Sequence, residues 1–162
     1  MKNKTVIIVG SSRSIGNTSK LVKEIANNIK ADMIDLNDYK ISYYDYENKN
    51  SDDDFLPLIK SIIEKYDTMI FATPVYWYNM SGIMKVFFDR FSDLIRIEKE
   101  TGKKLKGKKM GVISNSHDNG IDSTFYIPFQ KSAAYLNMEY IGNKHFNADQ
   151  ITKKEKLDLA FI

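Results

Sequence analysis

The segment from Gly10 to Thr18 holds two glycines, several hydroxyls, an amide and a guanidinium within nine residues, and it reads Gly-Ser-Ser-Arg-Ser-Ile-Gly-Asn-Thr. Hydroxyl, amide and guanidinium groups all donate hydrogen bonds to phosphate oxygens. Gly10 and Gly16 also let the backbone approach a ligand closely. This combination of residues predicts an anion site, with Ser11, Ser12, Arg13, Gly16, Asn17 and Thr18 as candidate ligands.

The spacing of the two glycines limits which anion fits. Five residues separate them and Asn17 follows the second, whereas a nucleoside-triphosphate loop has four residues and then a lysine. The dinucleotide pattern Gly-x-Gly-x-x-Gly is not present either. A single phosphate monoester is the prediction that remains. The alternative is that the segment only makes a tight turn and caps a helix, as any α/β protein requires.

A second segment, from Thr73 to Gly82, contains three consecutive aromatic residues, Tyr76, Trp77 and Tyr78. Stacking on an aromatic side chain is worth about 0.5 to 1.5 kcal/mol beyond burial, and Pro74 stiffens the backbone beside these rings. The segment therefore predicts a wall for a flat heteroaromatic ring. The same aromatics could instead fill an apolar gap or form a dimer contact.

Alternating strands and helices position both segments. Apolar runs predict strands at 5–9, 31–36, 69–73, 110–114 and 138–142. Apolar positions at helical spacing predict a helix capped by Asn17 or Thr18 and ending near Ile29, then helices at 52–66, 81–97, 125–136 and 152–162. Ile83, Phe87, Phe91, Leu94 and Ile95 are predicted to form the core stripe of helix 81–97. Such alternation predicts a parallel sheet of order 2-1-3-4-5 with helices on both faces, and ligands at the carboxyl ends of its strands.

The composition excludes several classes of site and partner. With 162 residues the chain is predicted to form a single domain spanning 1–162, and a net charge of +3 does not indicate nucleic acid. Cysteine is absent and only two histidines occur, so no disulfide, thiolate site or metal site is predicted, and redox chemistry requires a cofactor.

The apolar run near the start is too short for a signal peptide or membrane span, which predicts a cytoplasmic chain with no membrane partner. The lysines between 99 and 109 indicate a solvated loop.

Together the two segments resemble the flavodoxin-like NAD(P)H-dependent FMN reductase family, which has relatives among quinone reductases and iron-sulfur flavoproteins. The first match is Gly10-Ser11-Ser12-Arg13-x-x-Gly16-Asn17-Thr18. The second is Thr73-Pro74-Val75-Tyr76-Trp77, followed by Ser81-Gly82-x-Met84-Lys85-x-Phe87-x-Asp89-Arg90. The spacing agrees over roughly the first 115 residues. The missing cysteines depart from the iron-sulfur branch and exclude its cluster.

The resemblance implies FMN as cofactor, with NADH or NADPH as reductant. It places the FMN phosphate on the 10–18 segment and the isoalloxazine against Pro74, Val75, Tyr76 and Trp77. It also implies a third contact from the loop 114–120, namely from Ser114, Asn115, Ser116, His117 and Gly120. For any one residue of that loop, a polar turn is an equally good interpretation.

The function implied is hydride transfer from the nicotinamide through FMN to a quinone, nitro, azo or flavin acceptor. The flavin supplies the chemistry and no side chain acts as nucleophile, although His117 could relay a proton or stabilise reduced flavin. The resemblance and the exposed aromatics also predict a homodimer. The alternative function is a flavodoxin-type one-electron carrier, against which Arg13 and the basic charge balance argue. A receiver-like domain lacks support, because the first strand ends in glycine and serines where a phospho-acceptor site needs acidic residues.

Overall fold

The structure is a computed structural model that describes residues 4–150, 157 and 159–162. Five strands form a parallel sheet in the order β2-β1-β3-β5-β6, and a short strand, β4, pairs antiparallel with β3. The strands are β1 (Thr5–Val9), β2 (Asp32–Asp35), β3 (Thr68–Tyr76), β4 (Asn79–Met80), β5 (Lys109–Ser116) and β6 (Glu139–Asn147). The predicted parallel order is confirmed, with β4 as an added sixth strand.

The central strands β1, β3 and β5 are buried on both faces because helices cover the sheet on each side, whereas the edge strands β2 and β6 are mostly half-buried. Alternate residues of β1 show this directly: Val6 and Ile8 belong to one core cluster, whereas Ile7 and Val9 belong to the other. The second cluster contains the apolar face of α1 (Asn17–Ile29). The first contains the inner faces of α2 (Phe55–Lys65), α3 (Gly82–Asp89) and α6 (Ile127–Tyr135).

The predicted continuous helix over 81–97 is wrong, because it is interrupted at Arg90. It divides into α3 and α4 (Phe91–Arg96), and the short helix α5 (Lys99–Lys103) follows. Arg90 is the largest fully buried side chain in the described part of the chain, and its guanidinium lies between the carboxylates of Asp53 and Asp93. Ile95, predicted to be in the core, is instead 41% exposed on α4.

Two strands extend beyond their predicted ends toward the same edge of the sheet. β3 continues to Tyr76 and turns back into β4, so the aromatic segment is a hairpin and not an open loop. β6 continues to Asn147 and brings residues after Gly142 alongside the end of β5. The predicted helix at 152–162 falls mostly outside the described residues, and Leu157 and 159–162 are not helical.

The register of the sheet aligns the strand ends that carry the candidate residues. Val9 pairs with Ala72, Thr73 pairs with Ser114, and Ser114 pairs with His145. Short 3-10 helices follow β2 (Leu36–Asp38), precede α6 (Ser123–Tyr126) and follow β6 (Ala148–Gln150). None of the helices in the described ranges has the length and apolar character needed to cross a bilayer.

Candidate functional site

The 10–18 loop leaves the sheet at the end of β1 and leads directly into α1. Gly10 is required by close packing, because a Cβ at this position would lie 2.9 Å from both Cβ and Cε of Met84. Gly16 stands at the N-cap position of α1, where no side chain caps the helix and the first turn has no acidic residue. The first backbone N–H groups of α1, at the positive end of its dipole, therefore remain available to an anion.

The side chains of this loop differ in whether they can reach a ligand. Ser12, Arg13 and Asn17 are exposed, and Arg13 forms no ion pair with any residue that the structure describes. Thr18 is buried and donates its hydroxyl hydrogen to Oδ1 of Asn115 at 2.8 Å. Ser12, Arg13 and Asn17 are thus the accessible side chains of the predicted set, whereas the Thr18 hydroxyl hydrogen is already used inside the protein.

The β3–β4 hairpin presents its aromatic side chains in an unusual turn. Trp77 and Tyr78 occupy the two central positions, and both have positive φ angles, 49° and 62°. Two-residue hairpin turns of this kind favour Asn-Gly, because other side chains are strained in the left-handed region. Trp77 is nonetheless 94% exposed and Tyr78 is 85% exposed. The chain therefore accepts backbone strain while leaving two large rings in solvent.

Hydrogen bonds hold this hairpin against the 10–18 loop. The Ser81 hydroxyl donates to the Gly10 carbonyl at 2.5 Å and accepts from the Met84 N–H, which caps α3. The Ser81 N–H in turn donates to the Thr73 hydroxyl. The hydroxyls of Tyr76 and Ser12 lie 2.7 Å apart. The two predicted segments thus form one fixed unit at the sheet edge.

A cavity of about 390 Å³ opens between this hairpin and the loop after β5. One side consists of hairpin residues and the other of loop residues; the lining is Val75, Trp77, Tyr78, Ser116, Asp118, Gly120, Ile121 and Asp122. Four predicted residues, Val75, Trp77, Ser116 and Gly120, line it. Its two-walled shape, with aromatic rings on one side, suits a flat ring system.

Other predicted residues lie elsewhere. Pro74, Ser114 and Asn115 are buried in the strands and do not line the cavity, and Tyr76 turns toward Ser12. The His117 side chain is exposed and lies 3.1 Å from an Asp149 carboxylate oxygen. The structure therefore brings the 10–18 and 75–78 segments together with the loop after β5 but turns His117 away from the cavity.

Four further residues that shape this region were not predicted from the sequence. Ile121 and Asp122 complete the cavity lining, and the Asn37 amide donates to the Ser11 carbonyl at 2.6 Å. His145 on β6 lies 2.9 Å from the Ser114 hydroxyl and 3.2 Å from the Ser116 hydroxyl. Burial lowers the pKa of His145, and the Asp118 carbonyl and charge partly oppose that effect. If β6 had been predicted to extend to Asn147 in register with β5, His145 would have been placed beside Ser114. The residues around His145 give no sign that the strand continues this far.

Comparison with known proteins identifies related sequences. A family model described as NADPH-dependent FMN reductase matches residues 3–153. YwqN of Bacillus subtilis (strain 168), whose name describes an NAD(P)H-dependent FMN-containing oxidoreductase, is 36% identical over 57% of this chain and 54% of its own. Iron-sulfur flavoprotein CD630_04720 of Clostridioides difficile (strain 630) is 31% identical over 96% of this chain and 76% of its own. The chain spans about half the length of most curated relatives it matches.

The fold is shared with solved structures. The Trp repressor binding protein from Bacillus subtilis superposes with a TM-score of 0.70 at 24% identity, over 94% of this chain and 99% of that one. At this identity the likeness concerns the fold alone. It agrees with the flavodoxin-like topology of the five parallel strands.

Proposed function

The chain belongs to the NADPH-dependent FMN reductase family, and from this premise we propose that it binds FMN at the carboxyl edge of its sheet and acts as an NAD(P)H oxidoreductase. Membership confirms the resemblance inferred from the two motifs and, with it, FMN and NAD(P)H as the expected cofactors. Because the chain has no cysteine, it cannot hold the cysteine-ligated cluster that the name of the clostridial relative indicates.

The phosphate end of FMN fits the start of α1. Free N–H groups, the helix dipole and the exposed Arg13 guanidinium together favour a dianion, and no carboxylate in the first turn of α1 repels it. Asn17 adds an exposed amide at the first helical position. These groups would hold the phosphate, with Ser11 and Ser12 in the same loop.

The ring end of FMN fits the cavity between the hairpin and the loop after β5. Trp77 and Tyr78 offer aromatic faces, and Ser116 with the loop backbone offers hydrogen-bonding groups on the opposite side. The contact between Tyr76 and Ser12 joins the two ends of the site. This juxtaposition of an anion-binding helix start with a two-walled cavity is the observation that carries the proposal.

The protein residues supply binding and orientation. When bound, FMN supplies the redox chemistry, taking a hydride from the nicotinamide and passing it to the acceptor. The turn at Trp77 and Tyr78 would keep two rings at the open side of the site, where a flat acceptor of the quinone, nitro, azo or flavin class would stack. The same exposed rings support the proposed homodimer, because burial against a second copy would cover them. A cytoplasmic location remains a prediction.

A titration with flavins followed by a turnover assay tests the proposal. We expect the purified chain to bind FMN and to bind riboflavin more weakly, because riboflavin lacks the phosphate. With FMN present, NADH or NADPH should be oxidised when a benzoquinone is added. Absence of FMN binding would overturn the proposal, and binding without NAD(P)H oxidation would favour the one-electron carrier instead.

A further inference from the structure

A chain of hydrogen bonds runs behind the wall of the cavity and centres on His145. The Tyr126 and Ser114 hydroxyls lie 2.7 Å apart, and the Ser114 hydroxyl lies 2.9 Å from Nδ1 of His145. On the other side of the ring, Nε2 lies 3.2 Å from the Asp118 carbonyl oxygen and 3.2 Å from the Ser116 hydroxyl. The imidazole therefore joins a buried network to two residues of the cavity wall.

The direction of each hydrogen bond follows from the chemistry of the partners. The Asp118 carbonyl can only accept, so Nε2 carries the hydrogen of the neutral ring. Nδ1 is then an acceptor, and the Ser114 hydroxyl donates to it. The Tyr126 hydroxyl donates to the Ser114 oxygen in turn. With the ring neutral, each donated hydrogen in the network has an acceptor: Tyr126 donates to Ser114, Ser114 donates to Nδ1, and Nε2 donates to the Asp118 carbonyl.

Protonation of His145 would disrupt this order. A hydrogen on Nδ1 would face the Ser114 oxygen, so Ser114 could no longer donate to the ring, and either the Ser114 or the Tyr126 hydroxyl hydrogen would lose its acceptor in this network. Burial lowers the pKa of His145 and raises that of Tyr126, and both shifts favour the neutral form. The Asp118 charge acts on His145 in the opposite direction, Tyr140 is a further titratable group that acts on Tyr126, and His117 pairs with Asp149 on the surface.

The network reaches the cavity through two atoms. Ser116 and Asp118 both line the cavity, and the Asp118 N–H donates to the Ser116 hydroxyl at 3.0 Å. The imidazole Nε2 thus restrains the Ser116 hydroxyl and the Asp118 carbonyl together. Without the imidazole, the Ser116 hydroxyl would keep only its hydrogen bonds with Asp118, while the Asn147 amide would still hold His117 and Asn119 of the same loop.

We propose that His145 is the positioning residue for the cavity wall, since its Nε2–H holds Ser116 and Asp118 where the flavin ring would meet them. The inference rests on the proposed function. The role differs from the proton transfer or flavin stabilisation predicted for His117, whose side chain turns away to Asp149. This positioning role requires a hydrogen-bond donor at Nε2, and a side chain of the same size without that donor would not fulfil it.

Two amide variants of His145 test the donor at Nε2 and the acceptor at Nδ1 separately. His145→Gln can place an N–H near the position of Nε2 and keep the donor to Asp118, whereas His145→Asn can place an oxygen near Nδ1 and keep only the acceptor for Ser114. We expect FMN binding to weaken less than threefold in His145→Gln and about tenfold or more in His145→Asn, the scale of one hydrogen bond. Asn143→Ala, at an exposed position two residues earlier on β6, is the matched control.

The outcomes are distinct for this inference and for the proposed function. No FMN binding by the unchanged chain overturns the proposed function, whereas equal binding by the unchanged chain and His145→Asn overturns the role of His145. Equal weakening in both amide variants also overturns it, because the donor would then not be the deciding feature.

Nitrogen NMR of the unchanged chain tests the same point even if neither variant folds. We expect the neutral Nε2–H tautomer near pH 7 and a shift of the His145 ring resonances when FMN is added. A ring protonated at neutral pH, or resonances that FMN leaves unmoved, would overturn the inference.

Discussion

The Thr18 hydroxyl donates a 2.8 Å hydrogen bond to Oδ1 of Asn115, and both side chains are almost completely buried. This contact ties the start of α1 to the end of β5, across 97 residues of sequence. It therefore fixes the two candidate binding loops relative to each other.

Replacing Thr18 by Val should destabilise the fold. The change keeps the shape of the side chain but leaves the side-chain oxygen Oδ1 of Asn115 without its donor. An unpaired acceptor in a buried position costs about 1 to 3 kcal/mol. Urea unfolding followed by circular dichroism measures the loss. Thr18→Ser keeps the hydroxyl and should lose less, so an equal loss in both variants would contradict the assigned role of the hydrogen bond.

Replacing Arg13 by Ala should weaken FMN binding about tenfold, the scale of one charge-assisted hydrogen bond, and should leave riboflavin binding nearly unchanged. Isothermal titration with the two flavins provides the comparison. Lys23→Ala, which removes an exposed positive charge farther along α1, is the control and should bind both flavins as the unchanged chain does. Equal weakening toward riboflavin would show that Arg13 does not read the phosphate.

Replacing Trp77-Tyr78 by Asn-Gly should raise stability and lower flavin affinity at the same time. Asn-Gly suits a turn with two positive φ angles, so relief of strain should add about 1 to 3 kcal/mol to the free energy of unfolding. The loss of two aromatic faces should weaken FMN and riboflavin alike. A more stable variant with unchanged flavin affinity would assign these rings to another surface, such as a dimer contact.

Replacing Gly10 by Ala should destabilise the chain by about 1 to 3 kcal/mol, the usual cost of overpacking, because the new methyl group would collide with Met84. Gly82→Ala is the matched control. Gly82 begins α3 and has open space around it, so the change should be neutral or slightly stabilising. Thermal unfolding of the two variants side by side measures the difference, and equal midpoints would contradict the close packing at Gly10.

Replacing Arg90 by Leu should cost about 3 to 5 kcal/mol, because the buried carboxylates of Asp53 and Asp93 would lose their partner. The triple variant Arg90→Met, Asp53→Asn, Asp93→Asn removes the charges together and should recover much of that loss. Urea unfolding at pH 7 measures both. A triple variant as unstable as Arg90→Leu would show that shape, not charge, dominates at this site.

The effect of Arg90→Leu should also depend on pH. Burial opposes ionisation of Asp53, but hydrogen bonds from Arg90 and from the Ser42 and Phe55 N–H groups outweigh it, so the pKa of Asp53 lies below its ordinary value of 3.8. A lowered pKa adds stability at neutral pH that is lost as pH falls through the folded-state value. In Arg90→Leu, burial without a partner opposes ionisation of Asp53, so protonating this carboxyl should relieve part of the loss in the variant. The stability difference should therefore narrow as the pH falls from 7 to below 3.8, and a constant difference would contradict the pairing.

The sequence alone determined the architecture and the location of the candidate site. Continuous β-branched runs and helical spacing are local properties, and the parallel order follows from them because each crossover is right-handed. The 10–18 and 73–78 segments could therefore be assigned to one sheet edge. Their residue types indicated a phosphate and a flat ring before any contact was known.

Only the tertiary structure decided which side chains are free to act. Thr18 was predicted to face a ligand but donates to Asn115, and His117, which was predicted to reach the flavin, turns to Asp149 instead. Arg90 interrupts a helix whose apolar spacing predicts continuity, and it pairs both with nearby Asp93 and with Asp53, 37 residues earlier in the sequence. The hydrogen bond from Thr18 to Asn115 spans 97 residues. Local patterns carry no information on such long-range pairings, since strand register and helix packing bring the partners together.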